Sequence, residues 1–128
     1  MQDIENSLLS CAQSRFALLS YLDEVQHANL FLINVDNFGN FNSAYGFENG
    51  DKILVEIAKF IDMSKPSIAK LFRVNADEFA LVCLEFLDSK SLSNMASSII
   101  SFFDQMEIQI DEEISVRVSL SIGIAIGK

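Results

Sequence analysis

The stretch Leu30-Phe31-Leu32-Ile33-Asn34-Val35-Asp36 is an unbroken apolar run that turns polar and passes into the Gly- and Asn-rich Asn37-Phe38-Gly39-Asn40. A short run without alternation reads as a strand covered on both faces, ending in a polar loop. Ligands often sit at such carboxyl ends. Upstream, Ile4, Leu8, Cys11, Leu18, Leu22 and Val25 recur at three- and four-residue spacing with no Gly or Pro, which predicts one long amphipathic helix over Asp3 to Gln26.

Downstream, Asn49-Gly50-Asp51 starts a second helix, with Ile53, Leu54, Ile57, Ala58 and Ile61 as its apolar stripe and Ser64-Lys65-Pro66 as its end. Two β-like runs, Ile68 to Val74 and Phe79 to Leu84, flank Asn75-Ala76-Asp77-Glu78, a connection suited to a hairpin. A helix over about Ser89 to Gln105 buries Leu92, Met95, Ala96, Ile99, Ile100 and Phe103. Met106, Ile108 and Ile110 alternate with polar residues before the acidic turn Asp111 to Glu113. From Ile114 to Ile126 strict alternation predicts one long strand with a single buried face. The order α, β, α, β, β, α, β implies an α+β fold: a mainly antiparallel, ferredoxin-like sheet with flanking helices.

The chain has 128 residues, half of them apolar, enough for one domain with a sizeable core. A net charge of −9 argues against a nucleic-acid partner and against contact with an anionic membrane surface. Cys11 and Cys83 lack CxxC spacing and read as buried thiols. No apolar run approaches the roughly 18 residues of a membrane span, and Met1 to Glu5 lacks the basic start of a signal peptide, so the expected location is the cytoplasm. His27 reads as a surface residue, Arg73 and Arg117 as strand residues without a role, and the 11 Phe mainly as core.

If the strand ending at Val35 lies beside the hairpin, Asn34, Asp36, Asp77 and Glu78 meet at one sheet edge. Oxygen ligands in that arrangement suit Mg²⁺. From spacing alone, solvated turn residues are the simpler reading.

The segment from Asn34 to Asp51 resembles the nucleotide-binding signature DxDxFKxxNDxxGHxxGD of GGDEF domains, the diguanylate cyclase family. Arg73-Val74-Asn75-Ala76-Asp77-Glu78-Phe79 is similar to that family's RxGGDEF hairpin, and Val118 to Ala125 to its VTxSIGIA strand. The resemblance implies a fold akin to nucleotidyl cyclase palms and a reaction that condenses two GTP into cyclic di-GMP with Mg²⁺. It implies that Asn42 and Asp51 read the guanine edge, a task their donors and acceptors suit. Phe38, which flanks that loop with Phe41, joins the nucleotide-binding set, although both rings also read as packing residues. Asp77 and Glu78 take the catalytic positions, and Asp77, the Val35 carbonyl and Asn34 the metal positions.

Departures from the pattern fall on the phosphate and metal side. Asn34 replaces the first metal-binding Asp, Gly39 the phosphate-contacting Lys, and Asn75-Ala76 the two glycines. A unit charge pair at about 4 Å is worth roughly 4 kcal/mol at an effective dielectric near 20, and the ion is doubly charged, so Asn in place of Asp weakens metal binding substantially even if its amide oxygen coordinates. Asn75 tolerates a left-handed turn, while the Ala76 methyl occupies space for close approach to the triphosphate. Leu9 to Arg15, aligned with the family's LTGLPNR, has lost Gly and Pro and is expected to be helix. The inhibitory RxxD would fall on Pro66-Ser67-Ile68-Ala69 and is missing.

The expectation is therefore one degenerate domain over 1–128, a piece of a larger protein without the family's final helix. An N-terminal helix spans 1–26, and sheet and helices span 28–128. Asp77 and Glu78 are vestigial, the metal set is impaired, and Mg²⁺ binding is weak or absent. The domain serves as a regulatory, GTP-binding or dimerising module, with a second copy or an adjacent signalling domain such as EAL as partner. A slow diguanylate cyclase and a pure interaction scaffold are the alternatives.

Overall fold

The computed structural model describes residues 12–25, 27–85 and 87–127. Its centre is β1 (Ala28–Val35), which pairs antiparallel with β3 (Glu78–Cys83) on one side and with β6 (Leu120–Gly127) on the other. The strand β2 (Ala69–Asn75) joins β3 in a hairpin, giving the sheet order β2-β3-β1-β6. The α+β antiparallel architecture expected from the order of elements is thus present.

β1 is apolar from Leu30 to Ile33 because both faces are covered there, and the buried Asn29 amide is satisfied by the Glu85 carbonyl at 2.7 Å. Phe31, Ile33 and Val35 point into the main core, where they meet α3 (Phe47–Ser64) and α4 (Ser89–Asp104). Ile53, Leu54, Ile57, Ala58 and Ile61 form the buried stripe of α3, and Leu92, Ala96, Ile99 and Phe103 that of α4. Each fully buried Ile or Leu contributes about 1.5–3 kcal/mol relative to exposure. On the opposite face, α1 (Arg15–Glu24) packs Leu18 against Ala28, Phe72, Ala80 and Val82. Cys83 is a buried free thiol, while Cys11 lies outside the described residues. Phe31, Phe72, Phe79 and Phe103 are fully buried and Phe38, Phe41 and Phe60 pack on the core, as expected of a mainly inward set, with Phe16, Phe47 and Phe102 the exposed exceptions among the described residues.

Three boundaries differ from the sequence reading. The described part of the expected N-terminal helix begins only at Arg15: the Ser14 side chain caps it by accepting from the Ala17 N–H at 3.1 Å. Just before it, the Gln13 N–H donates to the Leu71 carbonyl at 3.0 Å and its carbonyl accepts from Arg73 N–H at 2.6 Å. Backbone groups committed to the β2 edge cannot serve a helix, so residues 12–14 are not helical as expected for the segment up to Arg15. Residues 1–11 lie outside the described set.

Second, the expected polar loop after Asp36 is mostly α2 (Phe38–Tyr45), separated from α3 by Gly46. Third, the long terminal strand is two: β5 (Ser115–Val116) pairs only with β4 (Ile108–Gln109), and β6 starts afresh at Leu120. Alternation survives the break because Ile114, Val116, Val118, Leu120 and Ile122 all contact the main core.

Candidate functional site

The carboxyl end of β1 meets the β2–β3 hairpin and the start of β6. Register puts Asn34 opposite Glu78 on one side and opposite Ser121 on the other. The Val35 N–H donates to the Asp77 carbonyl at 2.9 Å, which draws the hairpin turn onto β1. Asn34, Val35, Asp77 and Glu78 are therefore brought together, as the sequence reading required.

Asp36 is not part of that group. Its two carboxylate oxygens accept from the Ser119 and Ser121 hydroxyls at 2.8 and 2.7 Å, and its N–H donates to the Ser119 carbonyl at 2.9 Å. These bonds turn the side chain toward β6.

The hairpin closes without the left-handed Asn75 expected from sequence, since Asn37 is the one non-glycine residue with positive φ among those described. A register shift between Arg73 and Asn75 leaves Val74 as an extra residue, and such a bulge supplies the local twist. The two-residue turn Ala76-Asp77 also lets Asn75 face Glu78. The Asn75 amide donates to Glu78 Oε1 at 2.7 Å, so one of the two candidate catalytic acids already has a partner.

The proposed guanine-reading residues sit at the corner between α2 and α3. Asn37 adopts φ 58°, a conformation Asn accepts more readily than most residues. Phe38 is buried and stacks on Phe41 with ring centroids 6.3 Å apart, and Phe41 packs on Tyr45 at 4.7 Å. Phe38 thus acts as a packing residue of the corner. Gly46, with φ 89°, closes α2 through its N–H bond to the Asn42 carbonyl at 2.8 Å.

Gly50 is buried, and a Cβ there would collide with Asn42 Oδ1. The Asn42 amide consequently lies against the backbone just before Asp51. Its oxygen is buried and accepts no hydrogen bond among the described residues. Asp51 lines a cleft of about 330 Å³ between α3 and Gln109-Ile110. Sequence reasoning missed Gly46 and Gly50 as parts of this corner; the spacing Phe38, Phe41, Tyr45 was a helical signal that the Asn- and Gly-rich composition obscured.

The resemblance implies a divalent cation, which needs several oxygen ligands with net negative charge. Among the described residues no cluster of three or more His, Cys, Asp or Glu is arranged to hold one. Glu78 is bonded to Asn75, Asp36 to two serines, and Asn34 supplies a neutral amide. That leaves the Asp77 carboxylate, the second Glu78 oxygen and the Val35 carbonyl, a donor set with one negative charge fewer than a carboxylate at position 34 would give.

Among solved structures, the chain is similar to the GGDEF domain of TpbB (YfiN) from Pseudomonas aeruginosa, with TM-score 0.81 and 26% identity over 94% of this chain and 73% of that one. It shares its fold with the diguanylate cyclase SiaD of the same organism, solved with its activator SiaC, at TM-score 0.79 and 22% identity over 90% of this chain and 46% of that one. An uncharacterized membrane protein of Staphylococcus epidermidis is 26% identical over 102 residues, 80% of this chain and 28% of the relative. The chain thus spans little more than a quarter of that relative's length. No helix among the described residues is long and apolar enough to cross a membrane. The family model for the diguanylate cyclase GGDEF domain matches residues 10–128, and with the sheet, the hairpin and the α2–α3 corner in place, the chain belongs to the GGDEF family.

Proposed function

We propose that this GGDEF domain is a GTP-binding regulatory module of cyclic di-GMP signalling without cyclase activity. The observation that carries the reading is the Asn42 oxygen, buried and unpartnered among the described residues, beside Gly50 and Asp51. An unpaired buried acceptor costs about 1–3 kcal/mol, a cost a guanine N–H donor would remove once the amide turns out of its contact with Gly50. The phosphate side has no matching provision: Gly39 supplies no cation, and Glu78 is engaged by Asn75. On this reading Asp77 and Glu78 are vestigial, Asn42 and Asp51 bind the base, and Mg²⁺ binding through Asp77, Val35 and Asn34 is weak or absent.

Occupancy by GTP would be read by a second copy or by an adjoining signalling domain such as EAL, with the domain on the cytoplasmic side. The greater length of the staphylococcal relative and the activator bound to SiaD support a role inside a larger assembly. Calorimetry with GTP and ATP, with and without Mg²⁺, tests the proposal alongside chromatographic assay of products. GTP is expected to bind at least tenfold more tightly than ATP, with little dependence on Mg²⁺ and no cyclic dinucleotide formed. Equal affinity for both nucleotides, or turnover to cyclic di-GMP, would overturn it.

The alternative of a slow cyclase is favoured by one observation, the Asp77 side chain, which makes no hydrogen bond or ion pair among the described residues at the β1 end. It requires turnover that disappears in Asp77→Ala.

A further inference from the structure

We infer that Asp36 is a positioning residue, which, together with Ser119 and Ser121, sets the nucleotide-binding corner through the start of β6. The inference rests on the GTP-binding reading above and extends it to a strand which that reading leaves unused. Ser119 immediately precedes β6 and Ser121 lies within it, and the two side chains reach the same carboxylate. Register brings Ser121 opposite Asn34 and Leu120 opposite Val35, which aims both hydroxyls at the residue following β1. Each donates to a different oxygen of one carboxylate, at 2.8 and 2.7 Å. Asp36 is thereby held as an acceptor for two strand hydroxyls, a task that needs two oxygens on one short side chain.

The backbone is held at the same point from both sides. The Val35 N–H is bonded to the Asp77 carbonyl and the Asp36 N–H to the Ser119 carbonyl, each at 2.9 Å. Asn37, the next residue, takes the left-handed φ of 58° that turns the chain into α2. α2 begins immediately afterward and carries Asn42 to the corner. The clamp thus fixes the direction of the Val35 carbonyl and the origin of α2. It ties them to β6, which forms the sheet edge on that side.

The test compares Asp36→Ala, Ser119→Ala/Ser121→Ala, the triple variant, and Ser119→Thr/Ser121→Thr, which keeps both hydroxyls. GTP affinity is measured by calorimetry well below each unfolding midpoint, and amide exchange is followed by NMR. The expected result is a loss of at least tenfold in affinity for Asp36→Ala and for the double Ala variant. The triple variant is expected to be no weaker than the worse of these, and the Thr pair to stay within threefold of wild type. Affinity within twofold of wild type in folded Asp36→Ala, or losses that multiply in the triple variant, would overturn the inference. If Asp36→Ala does not fold, the contrast between the Ala and Thr pairs decides it.

Absence of GTP binding by the wild type would remove the functional reading alone. The clamp is then judged on exchange of residues 35–41. That exchange is expected to accelerate at least tenfold in the double Ala variant, with Leu71 on β2 unaffected, and unaltered exchange overturns it.

Discussion

Gly50→Ala separates stability from nucleotide recognition. Gly50 lies inside α3, where its N–H donates to the Gly46 carbonyl at 3.0 Å, and Ala at such a position favours the helix by about 1 kcal/mol over Gly. The new methyl would overlap Asn42 Oδ1 and sit 3.4 Å from Phe38 Cζ. The ring contact is ordinary packing, so the conflict is with the end of a two-torsion side chain, which can rotate away without moving backbone. Rotation also relieves a buried oxygen that has no partner among the described residues.

Stability is therefore expected to rise, by about 1 kcal/mol or roughly 4 °C in the unfolding midpoint. GTP affinity is expected to fall, because two hydrogen bonds to the guanine edge at about 1 kcal/mol each are lost, equivalent to roughly thirtyfold. Scanning calorimetry and GTP titration measure the two effects on the same sample. Asn42→Ala added to Gly50→Ala should weaken binding no further. Wild-type GTP affinity in Gly50→Ala would refute the assignment of Asn42 to the base, and a midpoint lowered by several degrees would refute the argument that the side chain gives way.

The remaining predictions concern other parts of the fold. Asn34→Asp combined with Asn75→Gly restores one carboxylate and frees another, and should raise Mn²⁺ affinity tenfold or more in a paramagnetic-resonance titration; an unchanged affinity contradicts the donor-set argument. Phe79→Ala empties a fully buried position and is expected to cost about 3–5 kcal/mol in urea unfolding, a large share of a domain's stability; a loss below about 1.5 kcal/mol would show that the core collapses around it. The Ser91 backbone N–H, with its hydroxyl, holds the Asp88 carboxyl below its ordinary value of 3.8, as expected of the cap of α4. A depressed folded-state value means the contribution is present above the ordinary value and is lost as pH falls through the lowered one. Asp88→Asn should flatten that acid limb of the stability curve, and an unchanged limb would exclude Asp88 as its source.

The helix stripes of α3 and α4 were legible because apolar side chains at three- and four-residue spacing have one way to be buried together. β1 was legible for a related reason, since its continuous apolar run demands cover on both faces. The motifs at Asn34, Asn42, Asp51, Asp77 and Glu78 were legible by resemblance, and their order along the chain carried the family. α2 was not legible: its eight residues include Gly39 and three polar side chains at 40, 42 and 43, and it holds its form through the Phe38, Phe41 and Tyr45 rings and the Gly46 corner. The break between β5 and β6 was equally hidden, because period-two alternation continues through Val118 while the hydrogen-bonding partner changes.

By itself, the sequence determined the family, the antiparallel α+β layering and the uncharged side chains at positions 34 and 39, all of which depend on residue type and spacing. Only the tertiary structure decided what each remaining polar group does. Asp36 and Glu78 are alike in sequence as acids near a sheet edge, yet one is bonded to Ser119 and Ser121 and the other to Asn75. The reason is physical: a carboxylate near the surface is satisfied by whichever donors the register brings within about 3 Å, and that register is set for Asp36 by the pairing of β1 with β6, more than eighty positions apart, and for Glu78 by the β2–β3 hairpin with its bulge.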